Sequence, residues 1–66
     1  MQIDIKKLRR DKGVTMEQLA SMAKMRENLL YKIQAGTTNP TFTTVERLAR
    51  GVGMKVMKFL NEYGRG

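Results

Sequence analysis

Four side chains that can hydrogen-bond to the edges of nucleic-acid bases lie within residues 26–32: Arg26, Glu27, Asn28 and Lys32. Arg and Lys donate to O6 and N7 of guanine, Asn pairs with N6 and N7 of adenine, and Glu accepts from N4 of cytosine. The same residue types also occur on the solvated face of an ordinary helix, and Glu27 would be repelled by a phosphate. The elements that hold these residues decide between the two interpretations.

The net charge of +7, from 13 Lys and Arg against 6 acidic residues, gives this 66-residue chain a strong positive field. Such a field favours polyanionic partners: DNA, RNA or an anionic membrane surface. A positive surface also keeps a small protein soluble, and that interpretation requires no partner.

The residue types present do not favour an enzyme. The chain has no His and no Cys, its single Ser is Ser21, and its acidic residues are scattered. It therefore lacks an evident nucleophile–base pair, zinc ligand set or disulfide. Gly51 and Gly53 flank one Val and lack the following Gly of a dinucleotide-binding loop. We expect no cofactor, no metal and no small-molecule ligand.

A chain this short buries only about 60% of the surface that its unfolded form exposes, so its core is small. A partner subunit is the remaining source of extra stability, because disulfides and zinc are excluded. No apolar signal segment follows the starting residues MQIDIKK. No apolar run approaches the roughly 18 residues of a membrane helix. We expect a soluble, cytoplasmic protein.

The spacing of apolar residues predicts a compact all-α domain with five short helices and no convincing strand. The predicted helices cover residues 3–13, 14–23, 26–36, 44–52 and 55–62, and residues 64–66 are expected to fray. Met16, Leu19, Ala20 and Ala23 form one apolar face, and Leu30 and Ile33 face inward from the third helix. The predicted stripe of the fourth helix is Phe42, Val45, Leu48, Ala49 and Val52.

Capping residues mark several of the predicted helix ends. Asp4 is suited to begin the first helix. Thr15 and Gln18 form a capping box at the second helix, and Thr43 and Glu46 have the same pattern at the fourth.

The second helix ends near Ala23 and the third begins near Glu27, so only the residues KMR separate them. So short a link forces the two helices to cross at a steep angle. This is the helix-turn-helix arrangement, in which the second of the two helices enters the major groove of DNA.

Together these segments resemble the Cro/lambda-repressor-like helix-turn-helix family of phage repressors and bacterial regulators. The matching segments are LRRDKGVTMEQLA (8–20), LLYKIQAG (29–36), NP (39–40) and VERLARGVGMKVMKFL (45–60). The resemblance covers nearly the whole chain. It implies a lambda-repressor-like five-helix fold and binding to operator DNA as a symmetric homodimer. The length of 66 residues predicts one domain over residues 1–66.

The resemblance places the base-facing positions on Arg26, Glu27, Asn28 and Lys32. Backbone phosphate contacts are expected from the turn, the first helix and the loop after the third helix: Lys24, Lys6, Arg10, Thr37, Thr38, Asn39 and Thr41. The family tends to dimerise through its last loop and helix, where Met54, Val56, Met57 and Tyr63 are suited to a self-complementary patch. Packing of these four residues within the monomer is the competing interpretation.

Several positions depart from the family pattern. Met16 replaces a usual Gln and Ala35 a usual Asn, both of which bind phosphate. Lys24 replaces the turn Gly, and Leu29 replaces a small hydroxyl residue. Gln34 replaces a Glu that pairs with the Arg of the first helix, so Arg9 has a neutral partner or none.

The leading hypothesis is a small dimeric transcription regulator, acting as a repressor and reading double-stranded DNA with its third helix. The alternative is an antitoxin-like or adaptor module with weak DNA binding, in which Met16, Met25 and Leu29 form an apolar patch for another protein. A membrane-surface role is disfavoured, because Val56, Phe59 and Leu60 are needed to close the core.

Overall fold

The computed structural model describes residues 1–65, and most of them lie in short helices. The all-α prediction and the number of helices are confirmed. The elements are β1 (Gln2–Ile3), α1 (Ile5–Lys12), α2 (Met16–Ala23), α3 (Glu27–Ala35), α4 (Phe42–Gly51), α5 (Val56–Tyr63) and β2 (Gly64–Arg65).

Local capping signals set the starts of α1 and α2 and the C-terminal ends of α1 and α3, as predicted. The Asp4 carboxylate accepts a hydrogen bond of 3.1 Å from the first turn of α1. Thr15 and Gln18 form the expected capping box, with bonds of 3.1 and 2.8 Å. Gly13 and Gly36 end α1 and α3 in the left-handed conformation that Gly adopts at low cost.

The predicted start of α4 is wrong by two residues. The N-cap is Thr41, whose hydroxyl accepts from the backbone N–H of Thr44 at 3.2 Å, and not Thr43. Phe42 is therefore the first residue of the helix. It lies at the N-terminal end of α4 and is 67% exposed, so it does not belong to the buried stripe that was predicted.

One continuous apolar core joins all five helices. It contains the predicted inward face of α2, the pair Leu30 and Ile33 of α3, and residues 45, 48 and 49 of α4. Within residues 1–65 no polar or charged residue is buried. Folding of this part of the chain therefore rests on apolar burial and leaves the charges at the surface.

Close contact between α2 and α4 depends on Gly51. A Cβ atom at this position would lie 2.7 Å from the carbonyl oxygen of Met22, inside van der Waals contact with backbone that cannot move aside. Gly51 thus lets the C-terminal ends of the two helices touch directly.

The two chain ends pair with each other, which the sequence analysis did not predict. Gln2 lies opposite Arg65 and Ile3 opposite Gly64 in an antiparallel ribbon. Strands of two residues are too short to show an alternating pattern, and this pair forms because α1 and α5 bring the ends together. Gly64 and Arg65 are thus ordered by pairing, contrary to the expected fraying, and Gly66 lies outside the described residues.

No helix within residues 1–65 is long and apolar enough to cross a membrane.

Tyr63 anchors α5 to α1 inside the monomer. It is 4% exposed, its ring centroid lies 5.3 Å from that of Phe59, and its hydroxyl donates to the Asp11 carboxylate at 3.0 Å. Its inclusion in an exposed dimer patch is therefore corrected, because the core already holds this side chain. Burial first, then the hydrogen bond and charge of Asp11 and the charge of Glu62, raise the pKa of Tyr63.

Tyr63→Phe is expected to lower the free energy of unfolding by about 1 kcal/mol at pH 7, since it removes one hydrogen bond and leaves an exposed carboxylate. The folded state holds the Tyr63 proton more tightly than the unfolded state does. Its contribution is therefore intact below its ordinary pKa of about 10 and is lost as pH rises through the higher folded pKa. Urea unfolding followed by circular dichroism should show a smaller alkaline loss in the variant than in wild type. Equal losses would contradict this role.

Candidate nucleic-acid interface

The turn between α2 and α3 has the predicted length. After Ala23 the chain turns at Lys24 and re-enters a helix behind Arg26, the N-cap of α3. The backbone N–H of Met25 donates to the carbonyl oxygen of Ala20 at 2.9 Å, which fixes the direction in which the chain leaves α2. Helices α2 and α3 thus form a helix-turn-helix.

Lys24 carries the conformational cost of this turn. Its φ is 54°, and it is the one non-Gly residue with positive φ within residues 1–65. A side chain in this left-handed region costs about 1–2 kcal/mol, since Cβ approaches the following carbonyl. The guanidinium of Arg47 lies nearby, with Nη1 3.5 Å from the Lys24 carbonyl oxygen.

Two buried residues seat α3 and determine which of its side chains face outward. Leu30 and Ile33 are 0% and 1% exposed, as predicted. Asn28 and Lys32 are exposed and lie four residues apart, so they share the opposite face. Ala35 continues that exposed face at the C-terminal end of α3.

The predicted base-contact residues extend from the N-cap of α3 to its last turn, with unequal exposure. Arg26, Asn28 and Lys32 are exposed, whereas Glu27 is half-buried. None of the four side chains forms a hydrogen bond or ion pair with another residue of the described chain. Three of them present free hydrogen-bonding groups to a ligand that meets this face.

Tyr31 belongs to the same outer surface but was missed by the sequence analysis. It is 48% exposed, follows Asn28 by three residues and adjoins Lys32. The spacing of three from Asn28 was the available signal, since residues that far apart on a helix are neighbours. Its hydroxyl adds a donor and acceptor beside the predicted base-contact residues.

Two of the predicted phosphate contacts meet at the corner between α1 and α2. Lys6 and Arg10 line a concavity of about 390 Å³ together with Arg9 and Thr15. Thr15 is the N-cap of α2, so these cations lie beside a helix N-terminus, where the helix dipole also favours an anion. The structure brings these residues together in a position suited to one phosphate group.

Three of the four loop residues predicted to bind phosphate have side chains that hydrogen-bond within the chain. The Thr37 hydroxyl donates to the carbonyl oxygen of Lys32 at 3.2 Å, and Asn39 Oδ1 accepts from Gln2 at 2.8 Å. The Thr41 hydroxyl caps α4. These bonds order the loop and reduce what the side chains can offer to a phosphate. Thr38 is half-buried in the same loop.

The departures from the family pattern have different structural outcomes. Met16 is 2% exposed and belongs to the core, so the apolar surface patch expected from Met16, Met25 and Leu29 is corrected. Met25 and Leu29 are only partly buried.

Arg9 has a neutral partner, one of the two outcomes expected from Gln34 in place of Glu. Arg9 donates through Nε to the carbonyl oxygen of Val14 at 3.4 Å, which is a neutral partner. Gln34 Oε1 is buried without a hydrogen-bond partner in the described chain. Arg9 and Gln34 therefore do not hydrogen-bond to each other in the described chain.

The residues proposed for a dimer patch differ in exposure. Met57 is 71% exposed, and Met54 and Val56 are partly buried against the core. With Tyr63 in the core, Met57 is the apolar centre of the remaining patch.

Within residues 1–65 no group of three or more carboxylate, His or Cys side chains is placed to hold a metal ion.

A second cationic surface was also missed by the sequence analysis. Arg47 and Arg50 lie on α4 beside the α2–α3 turn and line adjoining concavities with Lys24. A single sequence shows basic residues on α4 but not that the fold sets them next to the turn.

A model of the family described as a helix-turn-helix domain matches residues 3–65 of the chain. The match includes all five helices described above. No curated protein matches the sequence.

Lys24→Gly is expected to raise the free energy of unfolding by about 0.5–1 kcal/mol, because relief of the left-handed strain exceeds the extra unfolded-state entropy of Gly. The measurement is urea unfolding monitored by far-UV circular dichroism. Lys12→Gly is the matched control: Lys12 ends α1 with helical geometry, so this change should lower stability. Destabilisation by both substitutions would show that the turn is not strained.

Proposed function

The chain belongs to the helix-turn-helix domain family, and we propose on this premise that it is a sequence-specific DNA-binding transcriptional regulator. We assign it to the Cro/lambda-repressor-like members of that fold, with residues 1–66 as one DNA-reading domain acting in the cytoplasm. The observation that carries the proposal is α3 itself. Buried Leu30 and Ile33 fix this helix behind a three-residue turn, while Asn28 and Lys32 point their unbonded polar groups outward.

Helix α3 enters the major groove in this proposal and reads base edges directly. Asn28 pairs with an adenine, and Lys32 and Arg26 donate to guanines. Glu27 accepts from a cytosine where its half-buried position allows contact. Tyr31 adds a hydroxyl at the same surface.

The charge distribution supports binding to a polyanion. Within residues 1–65 one ion pair is formed, at 3.9 Å between Arg65 and Asp4. Most basic side chains of the described chain therefore lack an acidic partner and are available to phosphates. Each contact releases condensed counterions from DNA, which strengthens binding at low salt. Lys6 and Arg10 serve one side of the helix-turn-helix, and Lys24 with the backbone of the 37–41 loop serves the other.

A homodimer is the assembly that fits this function. Two copies related by a two-fold axis place their α3 helices in successive major grooves, about 34 Å apart. Met57 is the exposed apolar side chain from which a small isologous contact is built, with Met54 and Val56 beside it. Such a dimer represses transcription by occupying a promoter.

A protein-interaction module on the same fold is the second candidate. It is favoured by the loss of the usual phosphate ligands at Met16 and Ala35 and by the internal bonds of Thr37 and Thr41. The exposed ring of Phe42 offers a partner an apolar contact. This candidate requires a stable complex with another protein chain and weak DNA binding without sequence preference.

The decisive experiment is selection of binding sites from a random duplex library at near-physiological salt, where purely electrostatic binding is suppressed. Enrichment of an inverted repeat supports a dimeric regulator. A folded protein that enriches no site contradicts it and favours the protein-interaction module.

Asn28→Ala and Lys32→Ala are each expected to weaken binding to the selected operator by about 1–3 kcal/mol, because each removes a base contact. Each should also relax sequence preference at one base pair, with a smaller effect on random DNA. Fluorescence anisotropy titrations on both duplexes provide the measurement. Lys58→Ala, which removes the same charge as Lys32→Ala from α5, is the control. Equal losses on operator and random DNA would exclude a base-reading role.

Met57→Glu is expected to shift the protein toward monomer and to abolish cooperative occupancy of the inverted repeat, because a charge in a small apolar contact loses its hydration. Sedimentation velocity, with and without operator, measures both effects. Phe42→Glu makes a comparable change at a 67% exposed position on α4, outside the proposed contact, and should leave self-association unchanged. Dimerisation that survives Met57→Glu would place the interface elsewhere.

A further inference from the structure

The α2–α3 turn and helix α4 enclose a groove with basic side chains along its length. Two adjoining concavities of about 590 and 430 Å³ meet at this edge of the molecule. Lys24 and Arg47 line both of them, Arg26 lines the first, and Arg50 lines the second. We call these four residues and the space between them the cationic groove.

No acidic residue lines the cationic groove. All four of its basic residues are exposed, and none forms an ion pair with another residue of 1–65. The one polar contact among them is that of Arg47 with the Lys24 carbonyl, which leaves both positive charges uncompensated. Like charges gathered in a concave surface raise the local concentration of anions.

The direction of the groove indicates an extended anion. Arg26 is the N-cap of α3, so one end of the groove adjoins the base-contact residues. Arg47 and Arg50 lie one turn apart on α4, so their side chains are neighbours that continue the row away from α3. A DNA strand places a negative charge every 3.4 Å or so along the helix axis, which matches a row of cations better than one small ligand does.

We propose that the cationic groove binds backbone phosphates of the DNA that flanks the segment read by α3, with Arg47 and Arg50 as its phosphate ligands. This inference rests on the proposed function and assigns a role to two residues outside the helix-turn-helix. The two arginines add affinity and fix orientation, and they do not read sequence.

The test is the double variant Arg47→Gln/Arg50→Gln, titrated against the selected operator at several salt concentrations. Loss of both contacts should reduce the slope of log Kobs against log[salt] by about 1.8, at about 0.9 per phosphate. Affinity should fall by the same factor on operator and on random DNA. On a duplex trimmed to the base pairs that α3 reads, the double variant should bind as tightly as wild type. The flanking phosphates are then absent from the titrations of both proteins.

Two matched variants distinguish phosphate binding by Arg47 and Arg50 from a general effect of net charge. Lys12→Gln/Lys58→Gln has the same net charge but leaves the groove intact, so its slope should stay near that of wild type. Arg47→Lys/Arg50→Lys keeps the charges in place and should restore most of the slope. Thermal unfolding of each variant checks that the fold is retained.

Each outcome bears on a different part of the inference. A wild-type slope in the Gln variant overturns the groove as a phosphate site and leaves the proposed function standing. An equal loss in the Lys12/Lys58 variant also overturns it, since net charge alone then explains the effect. A folded wild-type protein that binds no duplex overturns both, and an acidic protein partner becomes the occupant to seek.

Discussion

The architecture depends on the contact between α2 and α4. At Gly51 the backbone of α4 lies against the carbonyl of Met22 with no side chain between them, and residues 45, 48 and 49 of α4 are buried in the core. Contact with α4 thereby fixes the C-terminal end of α2, and α3 follows that end after a turn of only three residues. The strain at Lys24 persists because packing on both sides of the turn determines its conformation.

The residues that stabilise the fold differ from the residues that are proposed to bind DNA. The described core contains only apolar side chains and Tyr63. The basic residues of the described chain lie at or near the surface, and one of them, Arg65, forms an ion pair. Exposed charges contribute little to folding, so the positive surface can change without disturbing the scaffold. The proposed operator reading by α3 and phosphate binding by the cationic groove would draw on this freedom.

Local signals allowed much of the fold and the face of α3 to be predicted from the sequence. The Asp4 and Thr15 caps and the buried pair Leu30 and Ile33 depend on residues a few positions apart. Other features depend on contacts between distant segments: the pairing of the chain ends, the burial of Tyr63 against Asp11, and the position of Arg47 beside the turn. Phe42 was misassigned because helical spacing alone does not show that the core ends before the first residue of α4, where this ring is exposed.

The antiparallel pairing of residues 2–3 with 64–65 places the entry and exit of the chain side by side. A folded unit with adjacent ends can be spliced into an exposed loop of another protein without stretching its host, because closing so short a gap costs little entropy. The ribbon thus makes this domain a suitable cassette for insertion. A host protein built in this way would gain a positively charged surface while keeping its own chain continuous.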